Sequence, residues 1–285
     1  MRFKLVVIFL LTLSHSGFSQ QRYAQEQDSV QPWWEYGVQF GAYLADNYTA
    51  NFYNGEGVND ITQITDNEHY RDRILQAIPY EEFEIGDMPQ NMAYKTATMP
   101  GLHLEYHKNQ MTSFFVNFQY VKLVTRDGFK VIDPNEELTF EDYILSTIRA
   151  EEERVYIDLG VKQAWPLTDH FTHYMIGGLN ISNTTVMSHK IDIGSFTQSI
   201  KSRYSDEPFN PNYPHNEYDF KQGGIGFGIV GGWGVKLTYQ QSLYAAFDLT
   251  AYYNQTILPD NQQFGVNFAP MLRLGYKAQT LLPAQ

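Results

Sequence analysis

Eight charged side chains recur in one kind of place in this sequence. Glu35, Glu105, Asp158, Lys162, Lys236, Asp248, Arg273 and Lys277 each sit on the polar side of a run in which apolar residues alternate with polar or small ones. Carboxylates and cations so placed suit a shielded polar interior, where a charge is costly unless paired. The chemistry they offer is structural, an ion-pair and hydrogen-bond plug. Acyl transfer is the reactive alternative, and it needs a nucleophile beside a His base that a carboxylate orients. His103 and Glu105 share a strand face, but His107, His170 and His173 fall near segment ends and His189 lies far from them. No triad emerges. With no Cys in the chain, thiol catalysis, thiolate metal sites, disulfides and a Cys-linked lipid anchor are excluded. Asp192, Asp206, Glu207, Glu217 and Asp219 lack a calcium-loop spacing. The sequence therefore predicts no metal, no cofactor and no catalytic residue.

The elements that must hold these charges are alternating segments: 34–45, 99–107, 114–124, 154–165, 171–181, 224–239, 243–254 and 265–277. In the first, Trp34, Tyr36, Val38 and Phe40 oppose Glu35, Gly37, Gln39 and Gly41. Period two over this length is strand periodicity. In the fifth the two faces are less distinct, and His173 falls on the apolar one. Pro270 interrupts the last, where a missing N–H predicts a bulge or local break. Gly226-Phe227-Gly228-Ile229-Val230-Gly231 satisfies G-x-G-x-x-G, but the alternation runs straight through it. A dinucleotide site needs that motif at a strand-to-helix turn, so these glycines read as strand, making room for inward rings such as Tyr244 and Tyr252.

The connections separate into two kinds. Residues 107–110, 166–169 and 239–242 are short, whereas 46–98, 125–153 and 182–223 are long and 255–264 is compact. Short and long connections therefore lie at opposite ends of an antiparallel sheet. This pattern predicts an all-β fold: a transmembrane up-and-down β-barrel of eight strands (ten if 186–193 and 196–200 also cross), with short periplasmic turns and long extracellular loops containing short helices. Lipid offers no partners to N–H or C=O, so the sheet must close on itself. Its apolar faces would then point outward and its charges inward. Eight strands leave an interior that side chains can fill.

Arg2 and Lys4, the apolar run 5–13 and the small residues Gly17 and Ser19 form a secretory leader. The expected organisation is a signal peptide at 1–19, a periplasmic lead at 20–33, the barrel at 34–277 and a periplasmic tail at 278–285. After removal of the leader, 18 bases would face 32 acids, a net charge of −14. The long loops hold most of the acids and should repel polyanions, nucleic acid included, while attracting basic patches on another protein. Within them, Glu68 to Ile78 reads as a helix stopped by Pro79, and Thr139 caps a second helix through Ile148. The segment with Pro208, Pro211 and Pro214 reads as an irregular cover.

Gly37-Val38-Gln39-Phe40-Gly41, Gly177-Gly178-Leu179-Asn180 and Leu272-Arg273-Leu274-Gly275-Tyr276-Lys277 resemble strands of the small outer-membrane β-barrels of Bacteroidota, the PorT-like group. That resemblance implies a non-enzymatic barrel in the cell outer membrane, with a structural or accessory role at the surface or in a protein secretion assembly. It supplies no catalytic residues. A narrow pore for small solutes and a lipid-modifying hydrolase are the alternative functions.

Overall fold

The computed structural model describes residues 32–134, 143–200, 223–239, 242–258 and 261–278. The leader, the N-terminal lead before Pro32, the proline segment and most of the C-terminal tail lie outside the described residues. Ten strands occur among the described residues: β1 Trp33–Tyr43, β2 Glu84–Ile85, β3 Ala97–His107, β4 Thr112–Ile132, β5 Tyr143–Pro166, β6 Phe171–Ile193, β7 Phe196–Ser199, β8 Gly223–Tyr239, β9 Leu243–Leu258 and β10 Asn261–Ala278. Eight of them pair antiparallel in the order β1–β3–β4–β5–β6–β8–β9–β10, and β10 pairs back onto β1. This is the ring-like hydrogen bonding typical of a barrel. β2 and β7 are additions, borne by β4 and β6 respectively. Residues 186–200 thus form a hairpin rather than two further members of the ring.

Alternation puts Val38, Phe118, Leu159, Leu179, Ile229 and Leu272 on the exposed outside. Glu35, Glu105, Asp158 and Asp248, one position away in each pattern, are buried inside. All three short turns lie at one end, where Asn109 Oδ1 accepts from Met111 N and Thr112 N and Thr168 Oγ1 accepts from Phe171 N. Both described chain ends meet there, Trp34 opposite Ala278. His173 is on the outer face near this end, stacked on Trp165 at 5.3 Å between ring centres. Pro270 causes a local break, not a bulge. Phe268 exchanges two backbone bonds with Leu44, so the N–H missing at 270 would have pointed at Ala42, and there the β1–β10 ladder lapses without a change of register.

At the other end β4, β5 and β6, of 21, 24 and 23 residues, outrun β1 and β3, of 11 each. Much of what the sequence presents as the second and third long loops is therefore strand. The helix expected from Thr139 to Ile148 is absent where it is described, since residues 143–148 belong to β5. The first long connection does carry helix, α1 Thr62–Thr65 and α2 Glu68–Leu75, with Asn67 Oδ1 capping the N–H of His69. α2 stops short of Ile78. This connection folds onto the inner side of the overhanging strands, where Phe52, Tyr53, Ile61, Ile74 and Phe83 share an apolar cluster with Phe129, Ile148, Ile191 and Phe196.

One extra residue on β6 makes that packing possible. Glu151 faces Ser188 whereas Glu152 faces Val186, so Met187 bulges out of the ladder. Below the bulge Asn180, Ser182 and Thr184 point inward; above it His189, Ile191 and Ile193 do. A one-residue insertion inverts the faces of everything beyond it. The β6–β7 turn at Gly194 has φ +56°, and a Cβ there would lie 2.3 Å from the Ala77 carbonyl oxygen.

Candidate functional site

The interior charges come from different strands and meet because the ring brings their inward faces together. Near the short-turn end, Lys236 Nζ lies 2.6 and 2.7 Å from the two oxygens of Glu35. Lys162 Nζ is 2.6 Å from Glu105 Oε2, and Arg273 is 2.9 Å from Asp248. Three carboxylates are thereby matched by three cations. Tyr174 OH donates to Asp248, and the two ammonium groups lie over rings, Lys162 over Tyr174 and Lys236 over Tyr244. Two glycines open the space for those rings, since a Cβ at Gly234 would fall 2.6 Å from Tyr174 and one at Gly275 2.3 Å from Tyr244. Tyr244 is thus accommodated by β10 and not by the glycines of β8.

Two of the eight expected members behave differently. Asp158 meets no cation among the described residues; it accepts from Asn180 Nδ2 at 2.6 Å, and Asn117 and Tyr252 stand at 3.4 Å. Lys277 lies outside the network, its ammonium 4.2 Å above the Trp33 ring at the rim. The register explains this: Lys277 stands level with Glu35, four residues nearer the ring's end than Arg273, which stands level with Gln39.

Several further members were weighed in the sequence only for other roles, or not at all. His103 bridges Glu105, at 2.9 Å, and Asn117, at 2.6 Å. His107 Nε2 sits 3.1 Å from Glu105 and 3.2 Å from Glu35. Farther along, Tyr43, Tyr156 and Tyr252 form a ring cluster, with the Tyr43 and Tyr156 hydroxyls 2.6 Å apart. Met99, Val121, Leu123 and Met271 fill the space around them. At the long-connection end Arg154 Nε donates to Glu152 at 2.5 Å, and Glu152 also accepts from Tyr53 and Tyr94 of the first connection. Burial, reinforced by the adjacent carboxylate, holds both phenols well above their ordinary range, so they remain donors. Arg154 also donates to Thr49 Oγ1 at 3.1 Å; alternation puts Arg154 inward, but nothing in the spacing joins it to Thr49, or Glu152 to Tyr53.

Glu35, Glu105 and His107 bring three ligand atoms within 4.8 Å of one another. Lys162 and Lys236 already hold both carboxylates, and a divalent cation there would meet two ammonium groups at close range. An acyl-transfer arrangement fails on geometry too. Ser113 Oγ donates to Glu105 and not to an imidazole, so hydroxyl and base are not in contact. The arrangement suits the filling and bracing of an interior.

No family model matches this chain, and no curated protein matches it. Among solved structures, Ail, the attachment invasion locus protein of Yersinia pestis, in complex with the heparin analogue sucrose octasulfate, is similar at 14% identity over 86% of this chain and 99% of that one, with a TM-score of 0.34. Neisserial surface protein A is similar at 9% identity over 87% and 100%, with a TM-score of 0.41. OprG, an outer-membrane protein of Pseudomonas aeruginosa, is similar at 10% identity over 86% and 96%, with a TM-score of 0.37. At scores this low, what the chain does must be read from its own strand pairing and side chains.

Proposed function

We propose that this chain is a non-enzymatic β-barrel of the cell outer membrane, closed inside and serving a structural or accessory role at the surface. One observation carries this reading: the faces are inverted relative to a water-soluble sheet. Paired charges fill the inside of the ring, while Val, Leu, Ile, Phe and Trp side chains stand exposed around the outside. In water that outer surface would be an aggregation liability; in lipid it is the required face. The apolar band spans Trp34 to Leu44 along β1 and Phe264 to Tyr276 on β10, long enough for the roughly 9–11 tilted residues that cross a hydrocarbon layer.

The short turns then lie in the periplasm, and the long connections with the overhanging β4–β6 sheet lie outside the cell. The packed interior favours a brace over a pore for small solutes, and the Ser113–Glu105 contact disfavours a lipid-modifying hydrolase. The external connections are rich in acids and would engage a basic patch on another surface protein, with membership of a secretion assembly the specific form suggested by the PorT-like strand sequences. Gentle solubilisation of outer membranes followed by affinity purification tests that form. Stoichiometric recovery of secretion components is expected, and recovery of the barrel alone would restrict its role to the general surface. In planar bilayers the purified barrel should give no steady conductance.

A further inference from the structure

The acids do not cover the whole exterior. On the outer face of the overhanging sheet, Arg126 of β4 is directly opposite Arg149 of β5, and Arg149 is directly opposite Lys190 of β6. Three cations thus stand in one row across three adjacent strands. Direct cross-strand neighbours have Cβ atoms about 4.5–5.5 Å apart, and like charges so placed destabilise a sheet. Three acids share this face: Asp192, which Arg149 meets at 3.1 Å, and Glu151 and Glu153, which lie below the row on β5. Among the described residues Arg126 and Lys190 make no ion pair. A lower tier holds Lys122, bridged to Glu151, and the exposed Lys95, whose N–H bonds to Val124. Lys130 stands one tier higher on the same face of β4.

The apolar band lies below, past Lys122 and Val124 on β4 and Glu151 and Glu153 on β5. Phe118 and Tyr120 on β4, Val155 and Ile157 on β5, and Leu179 and Ile181 on β6 share the outer face with the cations. From Tyr120 to Arg126, a rise of about 3.3 Å per residue and a tilt of about 40° lift the row roughly 15 Å above the edge of the band. A cationic tier stacked on a lipid-facing wall matches a molecule with acyl chains below and anionic groups above.

Resting on the outer-membrane reading, we propose that the outer face of β4, β5 and β6 docks a phosphorylated glycolipid of the outer leaflet. Its acyl chains lie along the apolar wall, and its sugar phosphates are held by Arg126, Arg149 and Lys190. The phosphates supply the countercharge that Arg126 and Lys190 do not meet in an ion pair among the described residues, and Arg offers them bidentate contacts. The general expectation that the external surface repels polyanions therefore does not extend to this face.

The test uses the full chain folded in neutral-detergent micelles, titrated with purified lipopolysaccharide and with the same preparation after dephosphorylation. A compact band on unheated gels that shifts on boiling reports folding separately from binding. The phosphorylated lipid should raise the melting temperature and bind at least tenfold more tightly than the dephosphorylated one. The triple variant Arg126→Gln/Arg149→Gln/Lys190→Gln should lose that preference yet melt, without lipid, no lower than the wild type, because repulsion has been removed. Equal binding by the variant, equal binding of dephosphorylated lipid, a lower melting temperature of the lipid-free variant, or displacement by soluble polyphosphate at matched phosphate concentration would each overturn the proposal. A chain that does not fold in micelles defeats the barrel reading and this one together; a folded chain without phosphate preference defeats this one alone.

Discussion

Lys236 and Glu35 show what a single interior contact does. The pair is almost dry, with Trp33 Nε1 and His107 crowding the same carboxylate. Removing one partner strands the other charge in a place that water cannot reach easily. Lys236→Met should therefore cost about 3–5 kcal/mol in unfolding from micelles, whereas Glu35→Gln/Lys236→Met together should cost less than the sum of the single changes. Each charge was legible in the sequence as inward, because the face follows from alternation alone. Partners were not legible, because they depend on register around the whole ring. Hence Asp158 turned out to sit among amides and a phenol, and Lys277 on an aromatic rim. His189 gives a residue-level pH prediction. It lies above the apolar band, donates from Nε2 to the Tyr53 carbonyl at 3.1 Å, and burial pushes its ring down to about 4. A depressed His contributes stability that is present above its ordinary value near 6.5 and lost as pH falls toward 4. Docking of the first connection should weaken by about 3 kcal/mol across that window, seen as faster hydrogen exchange in α1 and α2. A flat profile would contradict the assignment.

At the scale of elements, the strands announced themselves where their register is continuous. β8 alternates without interruption for 17 residues, and the G-x-G-x-x-G run within it is strand, as its neighbours indicated. The segment 171–181 was indistinct because the bulky Tyr174 and Ile176 point inward while His173 and Gly177 lie on the outer parity; farther along, Met187 changes which parity points inward. Ile144, Leu145 and Ile148 imitate a helical stripe, yet Ile148 is a buried inward residue of β5 and Leu145 an exposed outward one. Three residues at that spacing fit both periods, and pairing with β4 decided the outcome. Deleting Met187 should close the bulge and leave a single parity along β6, with Ser188 following Val186 and His189, Ile191 and Ile193 still inward. Limited proteolysis should then leave the first connection as protected as in the wild type. Cutting of that connection at low protease would show that Met187 is not the one extra residue in the ladder.

For the molecule as a whole, the central claim is that lipid surrounds the ring and that the long connections stand on the cell's exterior. The segregation of connection lengths was readable from the sequence, and the ring of pairings agrees with it. The chain contains no Cys, so single-cysteine variants give an unambiguous readout. Asp87, exposed in the first long connection, and Gln110, exposed in the β3–β4 turn, report the two ends. Intact cells expressing Asp87→Cys or Gln110→Cys would be treated with a 5-kDa polyethylene-glycol maleimide too large to pass the outer membrane. The account predicts labelling of Asp87→Cys on intact cells, and of Gln110→Cys only after the outer membrane is permeabilised. Labelling at position 110 with protection at position 87, or recovery of both variants in the soluble periplasmic fraction, would contradict it.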